Sequence, residues 1–261
     1  MIGIFDSGFG GLTVMKAIIQ RLPDFDYVYL GDNGRTPYGT RSQQTIQMFS
    51  EECLGQLVKA GAKLIVLACN SASANALEYL QEKFPKTPII GVIESACSLA
   101  IEKSRFGRIG VVGTTGTVNS QAYPEKLKSM KKDIQVYQQA CPLLVPLIEE
   151  GWHDKPETRM ILGKYLKPLK SSHIDTLILG CTHYPIIEHD FQRKMGKNVA
   201  VINSANAIAA TLQKYLEENP KLKLGKNGQR KYLCTDNPEK FQKLGSLFLG
   251  QKIDRVGKID L

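Results

Sequence analysis

Leu64-Ile65-Val66-Leu67-Ala68-Cys69-Asn70-Ser71 and Thr176-Leu177-Ile178-Leu179-Gly180-Cys181-Thr182-His183 follow one pattern: a short apolar run, a cysteine, then small polar residues. The two cysteines are 112 positions apart. A second pair stands earlier in each half. Ile2-Gly3-Ile4-Phe5-Asp6-Ser7-Gly8 is echoed by Ile109-Gly110-Val111-Val112-Gly113-Thr114-Thr115, an offset of 107. Apolar runs are common, so each match alone says little. Two matches at nearly one offset, with a cysteine at the same place in both, predict two related α/β halves.

Outward from these runs, short apolar segments alternate with longer amphipathic ones. Buried strands are expected at Ile2–Phe5, Tyr27–Leu30, Leu64–Ala68, Ile89–Val92, Gly107–Val112, Thr176–Leu179 and Val199–Ile202. Helical spacing covers Leu12–Arg21, Ser42–Ala60, Ser73–Lys83, Glu94–Lys103, Glu125–Lys132, Glu157–Leu169 and Ala205–Glu218. Pro220–Arg230 reads as an exposed basic loop, Lys231–Thr235 as a late strand and Pro238–Leu247 as a last helix. Fully apolar strands between amphipathic helices imply mostly parallel sheets covered on both faces. The expected fold is two pseudo-twofold-related α/β domains with a site in the cleft between them. The repeat suggests a first domain of residues 1–92 joined by 206–261, and a second of 93–205.

Composition removes several function classes. Of the 261 residues, 43% are hydrophobic and 23% charged, which suits an ordinary globular chain. The net charge is +9, but Lys and Arg are scattered apart from short groups at 126–132 and 221–231. No basic run is interleaved with aromatics, so nucleic acid is not expected as the primary partner. No apolar run approaches the ~20 residues needed to span a bilayer, and the start shows no leader pattern. The expectation is a cytoplasmic protein with reduced thiols and no membrane partner. The six cysteines form no C-x-x-C and no close Cys/His cluster of zinc spacing.

The chemistry is expected at the strand ends, because open α/β sheets bind ligands beyond the carboxyl ends of their strands. Strand one runs into Asp6-Ser7-Gly8-Phe9-Gly10-Gly11, whose glycine spacing is neither a dinucleotide fingerprint nor a phosphate-binding P-loop. Cys69 is followed by Asn70-Ser71 and Cys181 by Thr182-His183. A lone cysteine at the end of an apolar strand is usually a small buried hydrophobe. A neighbouring imidazole or helix N-terminus gives it thiolate character instead. Cys53, Cys97, Cys141 and Cys234 have no such setting and read as structural. Two thiols facing each other across one cleft suit inversion at carbon, where one base removes a proton and an acid delivers one to the other face.

Five motifs, in order, carry a resemblance. Asp6-Ser7-Gly8-Phe9-Gly10-Gly11-Leu12-Thr13-Val14, Pro37-Tyr38-Gly39-Thr40, Ala68-Cys69-Asn70-Ser71-Ala72-Ser73, Val145-Pro146-Leu147-Ile148-Glu149-Glu150 and Leu179-Gly180-Cys181-Thr182-His183-Tyr184-Pro185 resemble the bacterial glutamate racemases over residues 1–215. The resemblance implies interconversion of L-glutamate and D-glutamate by the thiols of Cys69 and Cys181, with neither pyridoxal phosphate nor metal. Cys181 acts on the L form and Cys69 on the D form. It further implies that Asp6 assists Cys69 and His183 assists Cys181, both bordering substrate. Ser7, Tyr38, Gly39, Asn70, Ser71, Thr114, Thr117 and Thr182 hold the carboxylates and ammonium, with Glu149 close by. A homodimer and a supply of D-glutamate to peptidoglycan are also implied. Ser71 departs from the threonine usual there but keeps the hydroxyl. An aspartate racemase or other two-cysteine isomerase is the nearest alternative, and a non-catalytic acidic amino-acid binding protein a more distant one.

Overall fold

The two repeated apolar runs become neighbouring central strands of two parallel sheets. The computed structural model describes residues 1–261. Its first stretch is β1 (Ile2–Asp6), α1 (Leu12–Arg21), β2 (Tyr27–Gly31), α2 (Gln43–Lys59), β3 (Leu64–Leu67), α3 (Asn70–Lys83), β4 (Ile89–Gly91) and α4 (Val92–Lys103). Then come β5 (Arg108–Gly113), α5 (Thr115–Asn119), α6 (Ala122–Met130), β6 (Gln135–Ala140), α7 (Leu144–Glu149), α8 (Pro156–Ser171), β7 (Thr176–Gly180), α9 (Glu188–Met195) and β8 (Ala200–Asn203). The chain ends with α10 (Ser204–Glu218), β9 (Arg230–Cys234), α11 (Pro238–Leu249) and β10 (Gly257–Lys258).

One sheet has the order β10-β9-β2-β1-β3-β4 and the other β6-β5-β7-β8. Every pairing is parallel. The four-stranded sheet repeats β2-β1-β3-β4 strand for strand. The register repeats too. Ile2 lies opposite Leu64, and their partners in the repeat, Ile109 and Thr176, lie opposite each other. The offsets of 107 and 112 are therefore one structural alignment carried by two strands.

β1, β2, β3 and β7 are buried along their whole length, as parallel strands covered on both faces must be. Alternation of side chains splits the core by face. Ile4 and Val66 of the first sheet share one apolar cluster with Val112 and Leu179 of the second. Phe5, Val28, Ile65 and Leu67 point the other way, onto Ile46, Leu54 and Leu57 of α2. Ile109, Val111 and Ile178 pack on Ala96 and Cys97 of α4. α10 packs against both α1 and α4, which joins the two halves.

Several elements depart from the pattern reading. α3 starts at Asn70 rather than Ser73 and α4 at Val92 rather than Glu94. Cys69 is consequently the residue that caps α3. β6 is a strand the apolar criterion overlooks, because Gln135-Val136-Tyr137-Gln138-Gln139-Ala140 is an edge strand, only partly covered. α7 and α9 are too short for helical periodicity to register, and β10 has two residues. The basic loop is tied down at its end: Asp26 accepts the N–H groups of Asn227 and Gln229 at 3.0 and 2.9 Å.

Candidate active site

The carboxyl ends of the central strands of both sheets open onto one cavity of about 300 Å³. From the first half come Ser7 after β1, the Tyr38–Thr40 turn, and Cys69, Asn70 and Ser71 between β3 and α3. From the second come Thr114 after β5, Glu149 at the end of α7, and Cys181, Thr182 and His183 after β7. Eleven of the thirteen expected site residues thus border the cavity. Asp6 and Thr117 do not; both are fully buried behind it.

The two thiols meet different neighbours. Cys69 Sγ donates to Ser7 Oγ at 3.4 Å. Burial, reinforced by the nearby Asp6 carboxylate, pushes its pKa up to about 12, although the Ser7 hydroxyl pulls the other way. Cys181 Sγ lies 3.8 Å from His183 Nδ1, and His183 Nε2 lies 2.8 Å from Glu149 Oε1. Burial opposes a charge on His183, but its hydrogen bonds to Cys181 and Glu149 outweigh that and hold its pKa at about 10. The result is a thiol–imidazole–carboxylate chain on one side and a thiol–hydroxyl pair on the other.

Asp6 makes no hydrogen bond to Cys69. It accepts the Gly8 N–H at 3.0 Å and the Thr182 hydroxyl at 3.3 Å, so it reaches Cys69 by charge alone. Burial raises its pKa, countered in part by the charge of His183 and by these hydrogen bonds. The turn after Asp6 needs glycine: a Cβ on Gly10 would collide with Thr182 and His183. That close approach lets Thr13 Oγ1 donate to Thr182 O at 2.8 Å, tying the first turn of α1 to the Cys181 loop.

The opposite wall is built from hydroxyls and an amide. Ser71 Oγ shares hydrogen bonds with Thr114 Oγ1 at 3.0 Å and Thr117 Oγ1 at 3.3 Å, and the two threonines are 3.1 Å apart. Asn70 Oδ1 accepts from Tyr123 Oη at 2.6 Å, while Asn70 Nδ2 is buried with no protein partner. Tyr38, which lines the cavity, donates its hydroxyl to Asp32 at 2.5 Å, so that proton is already engaged within the protein. Gly39 approaches the second half closely enough that a Cβ would run into Thr114.

Residues 2–212 match the model of the family described as Asp/Glu/Hydantoin racemase. The chain belongs to that family. It is 42% identical over 261 residues to the glutamate racemase of Geobacter metallireducens, covering 100% of this chain and 96% of that one. A crystal structure of a glutamate racemase isoform from Bacillus anthracis superposes with a TM-score of 0.95 at 38% identity, covering 100% of this chain and 97% of that one. The Francisella tularensis glutamate racemase in complex with D-glutamate gives a TM-score of 0.92 at 36% identity over 99% and 97%. The amino-acid racemase expected from the five motifs is what the fold and the family both give.

Some walls of this racemase's cavity carry no signal in the sequence. Cys141, which its sequence setting marks as structural, borders the cavity, as does Pro142; Val145 and Pro146, from the fourth sequence motif, line it beside them. The cause is β6: it lies beside β5, so its carboxyl end delivers Cys141 to the same sheet edge as Cys181. Thr36 and Thr115 also line it, close in the chain to the expected Tyr38 and Thr114. Phe248 of α11 packs edge-on against His183, with ring centroids 5.3 Å apart. No sequence signal marks a late helix residue as part of this site. No helix is long and apolar enough to cross a membrane.

Proposed function

We propose that this racemase interconverts L-glutamate and D-glutamate by two-base proton transfer between Cys181 and Cys69. The observation that carries the reading is the pair of thiols at equivalent strand ends of two repeated sheets, both on one cavity. The full-length relatives named glutamate racemase support glutamate over shorter acids.

In the L-to-D direction His183, in contact with Cys181 Sγ, takes the thiol proton and keeps it through its pairing with Glu149. The Cys181 thiolate removes the α-proton from one face of the substrate. Cys69, held protonated by burial and by the Asp6 charge, gives its proton to the opposite face. The C–H bond broken and the C–H bond formed balance, leaving Cys181 as the thiol and Cys69 as the thiolate. The reverse direction starts from that state, with Ser7 as the hydrogen-bond partner of the Cys69 sulfur. Asn70, Ser71, Thr114 and Thr182 supply N–H and O–H groups to the substrate carboxylates, and the N-terminus of α3 adds its dipole.

We further infer that the chain divides at residues 1–92 with 206–261, and 93–205, each part carrying one sheet and one thiol. A cytoplasmic homodimer feeding D-glutamate to peptidoglycan synthesis is part of the same reading. The test is L-glutamate in deuterated water without added cofactor, followed by NMR. Loss of the α-proton signal together with formation of D-glutamate is expected. Exchange with aspartate but not glutamate would move the protein to an aspartate racemase. Exchange with neither would overturn the reading.

A further inference from the structure

We infer that Tyr123 is a positioning residue whose hydroxyl fixes the orientation of the Asn70 side-chain amide and leaves its N–H groups unpaired beside the cavity. The inference rests on the reading of the cavity as the substrate site. Tyr123 lies outside all five sequence motifs and does not line the cavity. It is fully buried in the core of the second half, among Ile93, Cys97 and Ile178. A left-handed residue, Gln121 at φ 58°, separates α5 from α6 just ahead of it.

Tyr123 touches both thiol-bearing turns. Its hydroxyl donates to Oδ1 of Asn70, the residue after Cys69, at 2.6 Å. Its ring lies against Gly180, the residue before Cys181: a Cβ there would come within 3.1 Å of Tyr123 Cε2. One side chain therefore gauges the two cysteine loops from behind.

Donor counting sets which way the amide points. Burial keeps the phenol protonated, its pKa lying well above the ordinary value. The hydroxyl makes no other hydrogen bond, so its proton needs Asn70 Oδ1 as acceptor. Turning the amide over would leave the phenol proton without an acceptor in a dry core, which costs more than an unmade bond in water. With Oδ1 engaged, the Nδ2 group is left buried without a protein partner, on a residue that lines the cavity. Toward any group that reaches it, this amide can only donate. It suits a substrate carboxylate and disfavours an ammonium group, so Tyr123 helps to decide which end of an amino acid lies there.

The test is Tyr123→Phe, which keeps the ring and removes the hydroxyl. The Michaelis constant for both glutamate enantiomers should rise about threefold to tenfold, with kcat changed less than about twofold. In an Asn70→Ala background the same substitution should add nothing further, because Tyr123 acts through Asn70. An equal rise in both backgrounds, or none in either, would overturn the inference. A second readout needs no substrate. The Asn70 Nδ2 protons, identified in 1H–15N spectra by their absence from Asn70→Ala, should exchange with solvent at least about tenfold faster in Tyr123→Phe. Unchanged exchange would also overturn it. Should Tyr123→Phe fail to fold, Asn70→Asp preserves an acceptor for the phenol while replacing the donor pair. It should raise the Michaelis constant at least about tenfold, and an unaltered value counts against the inference. A wild type inert toward glutamate would defeat the proposed function, while the amide exchange would still decide the role of Tyr123.

Discussion

The Cys69 and Cys181 turns hold the same position in their sheets, yet their surroundings differ in charge and in proton supply. Both follow the third strand of a β2-β1-β3-β4-type order, and both end a fully buried run. Cys69 meets a hydroxyl at 3.4 Å and, at longer range, a buried carboxylate. Cys181 meets an imidazole that is itself held by Glu149 at 2.8 Å. The backbone repeat therefore places the sulfurs, and tertiary packing gives each its own neighbours. This pair has a hydroxyl beside one sulfur and an imidazole–carboxylate chain beside the other, the asymmetry on which the proposed two-base transfer draws.

Substitutions on the two sides test how far that asymmetry reaches. The largest effect is expected from removing either sulfur. Cys69→Ala and Cys181→Ala should each lower kcat/KM about 1000-fold or more, in both directions, measured by circular dichroism of the product. Substantial activity in either would mean that the two sides are not partners. Next is Glu149→Gln, which strips the imidazole of its carboxylate. Rates should fall about tenfold to a hundredfold, and the pH limb that His183 sets near 10 should move down toward the ordinary value of 6.5. A pH–rate profile that does not shift would separate Glu149 from the relay.

Gly116→Ala tests the junction rather than the chemistry. A Cβ there would meet Gly39 O at 2.9 Å, backbone against side chain across the cleft. The cleft must widen, and kcat/KM should fall about tenfold while both thiols remain. The smallest effect belongs to Ser7→Ala, a few-fold loss of rate from one missing hydrogen bond to Cys69. Stability carries the same asymmetry. His183 binds its proton more tightly in the folded chain, near 10 against 6.5. Its contribution is thus fully present below about 6.5 and lost as pH rises through about 10. The melting temperature should fall over that window in the wild type and stay flatter in His183→Asn; parallel curves would contradict the relay.

Much of the fold and of the site is legible in the amino-acid sequence. β1, β3, β5 and β7 are central strands covered on both faces, and such strands announce themselves by apolar runs. β6 and the residues it delivers, Cys141 and Pro142, stay hidden because an edge strand has no such signature. The resemblance implies Tyr38 at the substrate, and only the fold shows that its hydroxyl is bound to Asp32, six residues back. Thr117 reads as equivalent to Thr114, yet one helical turn places it behind Ser71 rather than on the wall.

Hydrophobic period and a repeated strand end are local properties of the chain. The two halves, the offsets between them and the two thiols therefore follow from the order of residues alone. What each thiol meets is a matter of tertiary packing. Glu149 finds His183 across 34 residues, Ser7 finds Cys69 across 62 and Tyr123 finds Asn70 across 53. Such pairings depend on strand order and helix packing, and a proton's affinity is set at those contacts, within a few ångströms of the sulfur.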